Sequence, residues 1–234
     1  MRKARVLSGI LNVLPKRLGD YICNKLLYGY INKYAKVEVI NKDNLSSVKS
    51  PCIFLCNHLS NADGMILNDL LKDYDPSFVA GVKLSNDPVT NIGIRIVKTI
   101  PINPGSADKE ALTRVIKTLK DGENIMIFPE GTRSREGSMI EAKKGILLIA
   151  RLSKAQIVPL GMWGTEKLLP INKSGDMSHE NFNHAEVKVN IGKPIELPKK
   201  GKDEDRHEYD DRALKFIMGN IAKLIPEEYR GVYK

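Results

Sequence analysis

Cysteine is scarce in this 234-residue chain: Cys23, Cys52 and Cys56 are all it has. An odd, sparse count makes no disulfide framework. No secretory leader pattern accompanies it, so a reduced, cytosolic protein is expected. Cys52 and Cys56 have no zinc spacing; on a strand they would share one face as small buried hydrophobes. His179 and His184 lie in a polar stretch without a ligand-spaced cysteine or carboxylate, so no metal is expected, and His207 reads as solvated. Long apolar runs are missing too, since none reaches the roughly 18 uncharged residues that a spanning helix needs. There is no G-x-S-x-G elbow, which argues against covalent hydrolase chemistry, and no P-loop. Aromatics are only 6% of the chain. With no helix-turn-helix, zinc or RNA-recognition signature, nucleic acid is set aside as a partner. No internal repeat is present.

What is there is a globular composition, 42% hydrophobic and 28% charged, long enough for one ordinary domain with a sizeable core. The net charge of +9 is unevenly placed. Residues 1–36 carry eight lysines and arginines against Asp20 alone, which is +7 of that total. The same segment is apolar at helical spacing, with Leu7, Leu11, Leu14, Leu18, Ile22, Leu26 and Tyr30. Tyr21, Tyr28, Tyr30 and Tyr34 interleave with the basic residues. Residues 1–36 are therefore read as amphipathic helices that lie on an anionic membrane surface without spanning it.

Strands and helices alternate beyond them. Strands are predicted at residues 36–40, 52–56, 77–81, 99–103, 124–128, 156–160 and 185–191. Helices are predicted at 63–72, 107–120 with Ser106 as N-cap, 142–153 and 208–225, and residues 198–205 read as a solvated loop. This alternation predicts an α/β fold with a largely parallel central sheet and flanking helices, over residues 37–234. Ligands of such sheets bind beyond the carboxyl ends of the strands.

Two motifs sit at such ends. Residues 51–63 read PCIFLCNHLSNAD and place His58 five residues before Asp63. A neutral imidazole takes a proton from an alcohol near pH 7, provided a partner fixes its tautomer and stabilises the cation. Asp63 is that partner if the intervening chain turns back. Residues 128–134 read FPEGTRS. Pro129 stops a strand and Gly131 permits a tight turn. The backbone amides of that turn can face an anion, and Arg133 offers a fork for phosphate. Glu130 is expected to bind a substrate hydroxyl or to hold Arg133.

The two motifs, in this order and spacing, resemble the glycerolipid acyltransferase family, in particular its bacterial lysophosphatidate (1-acylglycerol-3-phosphate) acyltransferases. Asn57, His58 and Asp63 match the first motif of that family. Residues 128–134 match its third, and Val158 and Pro159 look like its fourth. The basic N-terminal segment looks like the membrane-binding helix pair of bacterial members. The resemblance implies direct acyl transfer from acyl-CoA or acyl carrier protein to the sn-2 hydroxyl of a lysophospholipid, with no further cofactor. His58 and Asp63 are then catalytic, and Glu130, Gly131, Thr132 and Arg133 bind substrate. One position departs from the pattern. Pro104 stands where the second motif usually ends in an arginine that helps bind the acceptor phosphate. Lys83 or Lys98 is left to supply that charge, and Lys83 joins the candidate substrate-binding residues. The departure also leaves another lysolipid or alcohol open as acceptor, or a lipid-binding role without turnover.

Overall fold

The computed structural model describes residues 14–82, 97–103, 108–172 and 180–234. Residues 1–13, Lys83, Pro104, Ser106 and His179 lie outside the described residues.

The described elements run α1 (Lys16–Tyr34), β1 (Ala35–Ile40), β2 (Cys52–Cys56), α2 (Ala62–Leu70), β3 (Ser77–Gly81), β4 (Thr99–Ile102) and α3 (Lys109–Lys120). They continue with β5 (Ile125–Ile127), α4 (Gly145–Ser153), β6 (Gln156–Trp163), α5 (Thr165–Leu168), β7 (Ala185–Ile191) and α6 (Arg206–Ala222). The strands form one seven-stranded sheet in the order β1-β7-β6-β2-β5-β3-β4. Every neighbouring pair is parallel except β6 and β7. The expected α/β fold is therefore present, with one reversal that the sequence reading did not anticipate.

The strand sequences explain the layering. β2 reads CIFLC, and all five residues are buried, as befits a strand covered on both faces. Ile53 and Leu55 point into a core shared with α3, α4 and α6. Cys52, Phe54 and Cys56 point into the opposite core, shared with α1 and α2. The alternation continues across β5, where Ile125 and Ile127 join the first core and Met126 the second. The two strand cysteines share a face, and all three cysteines are buried and outside any disulfide. Trp163 packs against the first core.

Several boundaries moved for identifiable reasons. Helix α3 starts at Lys109, because Asp108 caps it by accepting from the Ala111 amide at 2.9 Å. That bond and a second one from the Asn103 amide hold the Asp108 carboxyl below its ordinary value. α4 starts at Gly145 rather than at 142, and the segment before it is held by distant acceptors. Ile140 donates to Glu130, Ala142 to the Tyr233 hydroxyl, and Lys143 to the Pro129 carbonyl. β6 runs on to Trp163 because its second half pairs with β7, from Leu160↔Ile191 to Trp163↔Lys188. α6 starts two residues early on a reciprocal capping box between Asp205 and Glu208.

The reversal at β7 has a consequence for the site. β6, β2, β5, β3 and β4 end at one edge of the sheet. Because β7 runs the other way and β1 runs with it, both strands begin at that edge. The carboxyl end of α1 and the residues just before Ala185 are thereby carried to the same edge as His58. Tyr34, at the end of α1, stacks on Phe182 and tilts against His184, with ring centroids 6.1 Å and 4.9 Å apart.

Candidate active site

His58 follows the carboxyl end of β2, and the loop it opens folds back on itself. Asn57 closes the strand by pairing like a backbone unit with Met162 of β6, donating to its carbonyl and accepting from its amide, each at 2.8 Å. Beyond it, the His58 Nδ1 lies 2.8 Å from Asp63 Oδ2. The same oxygen accepts from the Leu59 amide at 2.7 Å and the Ser60 amide at 2.9 Å. Ser60 ties the turn down by donating its hydroxyl to the Leu169 carbonyl and accepting from the Ala62 amide. The five-residue spacing is thus the span of a loop that wraps round one carboxylate at the start of α2.

Asp63 is fully buried. Its Oδ2 gathers three donors, and its Oδ1 has no hydrogen-bond partner among the described residues. A carboxylate only accepts, so the imidazole proton sits on Nδ1 and leaves Nε2 as the free basic nitrogen. The ring is stacked on Phe128 with centroids 3.9 Å apart and planes 13° from parallel. Its exposure of 18% still gives one edge access to solvent. This arrangement can accept a proton at Nε2 and stabilise the resulting cation through Asp63.

The second motif begins at Phe128, directly under that ring. Gly131 has φ +73, the left-handed conformation the tight turn requires. A Cβ there would also lie 3.2 Å from Lys143 Cγ, so the lysine side chain runs across the glycine. Gly131 and Thr132 are exposed beside His58, and the Ser134 amide donates to the His58 carbonyl at 2.8 Å.

Glu130 is placed differently from its expected role. It is fully buried and directed at neither solvent nor Arg133. Its Oε1 accepts from the His58 amide at 2.8 Å and its Oε2 from the Ile140 amide at 2.9 Å. One carboxylate therefore fixes the backbone of His58 against the 139–143 segment. Arg133 is paired instead with Glu180, Nη1 to Oε1 at 2.7 Å. Glu180, missed in the sequence reading, has no motif around it and arrives only because β7 is reversed. The C-terminal residues were missed as well. Met139 donates to the Tyr229 carbonyl at 2.8 Å and accepts from the Val232 amide at 3.3 Å.

Burial pushes the Glu130 carboxyl up to about 7, against the two amides that favour its charged form. The sign of the pH effect follows. Between about 4.5 and about 7 the unfolded chain releases a proton that the folded chain keeps, so stability falls as pH rises through that window. Glu130→Gln should flatten this slope, whose span is of order 3 kcal/mol. Urea unfolding at several pH values checks it, and an unchanged slope in the variant contradicts the assignment.

Of the two lysines weighed against the missing arginine, Lys98 is excluded by position. It precedes β4 at the far edge of the sheet and is held by Glu123 at 2.6 Å and Asp75 at 3.3 Å. Lys83 lies outside the described residues. No group of three metal-ligating side chains occurs among the described residues.

The chain is 31% identical over 168 residues to a chloroplastic 1-acyl-sn-glycerol-3-phosphate acyltransferase of Brassica napus, covering 70% of this chain and 46% of that protein. It is 26% identical over 173 residues to a 1-acyl-sn-glycerol-3-phosphate acyltransferase of Bacillus subtilis, covering 74% and 80%. The chain spans about half the length of the plant and algal relatives it matches. The crystal structure of a 1-acyl-sn-glycerophosphate acyltransferase from Thermotoga maritima shares the fold, with a TM-score of 0.61 at 24% identity over 94% of this chain and 87% of that one. A family model described as Acyltransferase matches residues 36–163, which take in both motifs and the strands that carry them. The chain belongs to the acyltransferase family.

Proposed function

We propose that the protein transfers an acyl group from a thioester to the sn-2 hydroxyl of 1-acylglycerol 3-phosphate, giving phosphatidic acid for phospholipid synthesis. The observation that carries this reading is the His58–Asp63 pair beside an exposed, anion-suited turn. His58 Nε2 removes the hydroxyl proton as the alkoxide attacks the thioester carbonyl. Asp63 stabilises the imidazolium, which then returns the proton to the leaving thiolate. Transfer in this reading is direct, without an acyl-enzyme. Thr132 and Arg133 hold the acceptor phosphate, while the Gly131 amide is committed to the Phe128 carbonyl at 3.0 Å and the Ser134 amide to the His58 carbonyl. Glu130 acts one step back, by setting the backbone of His58.

Asp63→Asn gives the most specific test of this division of roles. The amide oxygen can still accept the three bonds that Asp63 Oδ2 now takes, so the loop keeps its shape while the imidazolium loses its counter-charge. The expected result is a kcat lower by roughly 10²–10⁴-fold with little change in acceptor KM. A change in KM alone contradicts the orienting role.

The acyl donor in this reading is acyl-CoA or acyl carrier protein, both anionic. The departure at Pro104 favours a second acceptor reading, another lysophospholipid, for the same chemistry.

The protein is further proposed to lie on an anionic membrane, on the cytoplasmic face. None of the described helices is long and apolar enough to cross a membrane. Yet α1 leaves large apolar side chains in solvent, with Leu18 48%, Tyr21 63%, Leu26 38% and Tyr30 49% exposed. Lys25 and Lys33 flank the last of these on an apolar groove of the same helix. Exposed apolar and basic groups mixed on one helix suit an anionic lipid interface. The double change Leu26→Glu and Tyr30→Glu should cut flotation with anionic vesicles about tenfold or more. Retention equal to the parent protein, or retention by DNA instead of vesicles, contradicts membrane binding through α1.

A further inference from the structure

The reversed strand β7 delivers a carboxylate to the site from beyond the family-matched segment, which ends at residue 163. Glu180 lies just before β7, with its side chain only 2% exposed. Its Oε1 accepts from Arg133 Nη1 at 2.7 Å and its Oε2 from Asn61 Nδ2 at 2.7 Å. Asn61 belongs to the loop between His58 and Asp63 and directly precedes α2. Arg133 belongs to the turn after β5. One buried carboxylate thus joins the two segments that carry the motifs.

We propose that Glu180 is a positioning residue of the acceptor site, holding the Arg133 fork so that its remaining N–H donors meet the acceptor phosphate. This rests on the reading of Arg133 as a phosphate ligand. A guanidinium has five N–H donors in a rigid plane. Glu180 engages one nitrogen, and among the described residues no other hydrogen bond fixes the group. The arginine side chain is 16% exposed, so part of it reaches solvent. A fork already immobilised by an ion pair has less rotamer freedom left to lose when the phosphate arrives. Asn61 in turn holds Glu180, so the carboxylate cannot swing away with Arg133 to become a competing anion. Glu180 touches no reacting atom. Its effect should fall on acceptor binding and leave proton transfer at His58 intact.

The test is steady-state transfer from acyl-CoA to 1-acylglycerol 3-phosphate by the parent protein, Glu180→Gln, Arg133→Ala and the double variant. Glutamine keeps the shape and one acceptor oxygen but loses the charge and the second acceptor. Glu180→Gln should raise acceptor KM about tenfold, with kcat changed less than about threefold and donor KM unchanged. In the Arg133→Ala background the same change should add less than about twofold, since its target is gone. An acceptor KM that is unchanged, or that falls because Glu180 was competing with phosphate, overturns the proposal. So does an undiminished effect in the Arg133→Ala background. If Arg133→Ala itself leaves acceptor KM untouched, the phosphate role of Arg133 fails and takes the proposal with it, a result distinct from the first two. Where Glu180→Gln does not fold, Glu180→Asp serves. Its carboxylate is one methylene too short to hold Asn61 and Arg133 together, and the same rise in acceptor KM is expected.

Discussion

Replacing His58 with alanine should lower acyl transfer by roughly a thousandfold or more, the order attributable to a positioned general base. The fold should survive the change. The imidazole is at the surface of the site, and its loss leaves Asp63 with two of its three donors, the Leu59 and Ser60 amides. The buried carboxylate therefore stays hydrogen-bonded. Removing the ring also uncovers Phe128, which the imidazole now stacks against, and a few degrees of melting temperature are the expected cost. Circular dichroism and thermal unfolding beside the kinetic assay separate the two effects. A folded variant with near-parental activity removes His58 from the chemistry, and an unfolded one makes it a structural residue.

Gly231→Ala should destabilise the protein by about 3–5 kcal/mol, placing it among the few large single-site effects. The glycine has φ +53, and a Cβ on it would lie 1.9 Å from the Met139 carbonyl oxygen and 3.0 Å from the Met139 nitrogen. The obstacle is backbone, so no rotamer change relieves it. Either residues 229–233 or residues 139–142 must move apart. The first choice gives up the Met139–Tyr229 and Val232–Met139 bonds and the Tyr233 hydroxyl's hold on the Ala142 amide. The second pulls the Ile140 amide from Glu130, and with it the brace on His58. A fall of roughly 10 °C in melting temperature is expected for a domain of this size, with reduced kcat in whatever remains folded. A variant melting within 2 °C of the parent would show that the C-terminal segment does not bear on the site.

These two residues differ in how visible they were. His58, Asp63 and the 128–134 turn were legible because each is local: a strand stops, a turn residue follows, and the chemistry lies within a few positions. Their meeting followed from where ligands sit in parallel sheets, and the Glu130–His58 bond joins the two motifs directly. Gly231 and Glu180 were illegible for the opposite reason. Nothing near them in sequence marks them, since the partners are Met139 in one case and Asn61 and Arg133 in the other. The direction of β7 decides whether Glu180 reaches the site at all, and AEVKVNI alternates equally well in a parallel or an antiparallel pair. Glu130 was read as binding a substrate hydroxyl or holding Arg133, because acidic residues beside a phosphate-suited arginine usually meet solvent or that arginine. Its true partners are two backbone amides, and a sequence does not display those. The acceptors of the amides at 140, 142 and 143 lie in distant segments and were invisible for the same reason.

The most direct measurement is acyl transfer from acyl-CoA and from acyl carrier protein to a panel of acceptors, in anionic vesicles, with His58→Ala as the control. The panel should contain 1-acylglycerol 3-phosphate and lysophospholipids with larger headgroups, and the position of the new ester should be determined. Transfer to the sn-2 hydroxyl of 1-acylglycerol 3-phosphate in preference to the others, lost in His58→Ala, is the expected result. Preference for a larger headgroup would keep His58 and Asp63 in their roles and move the acceptor site away from a bare phosphate. No transfer to any member of the panel by a folded, vesicle-bound protein would contradict catalysis by this site.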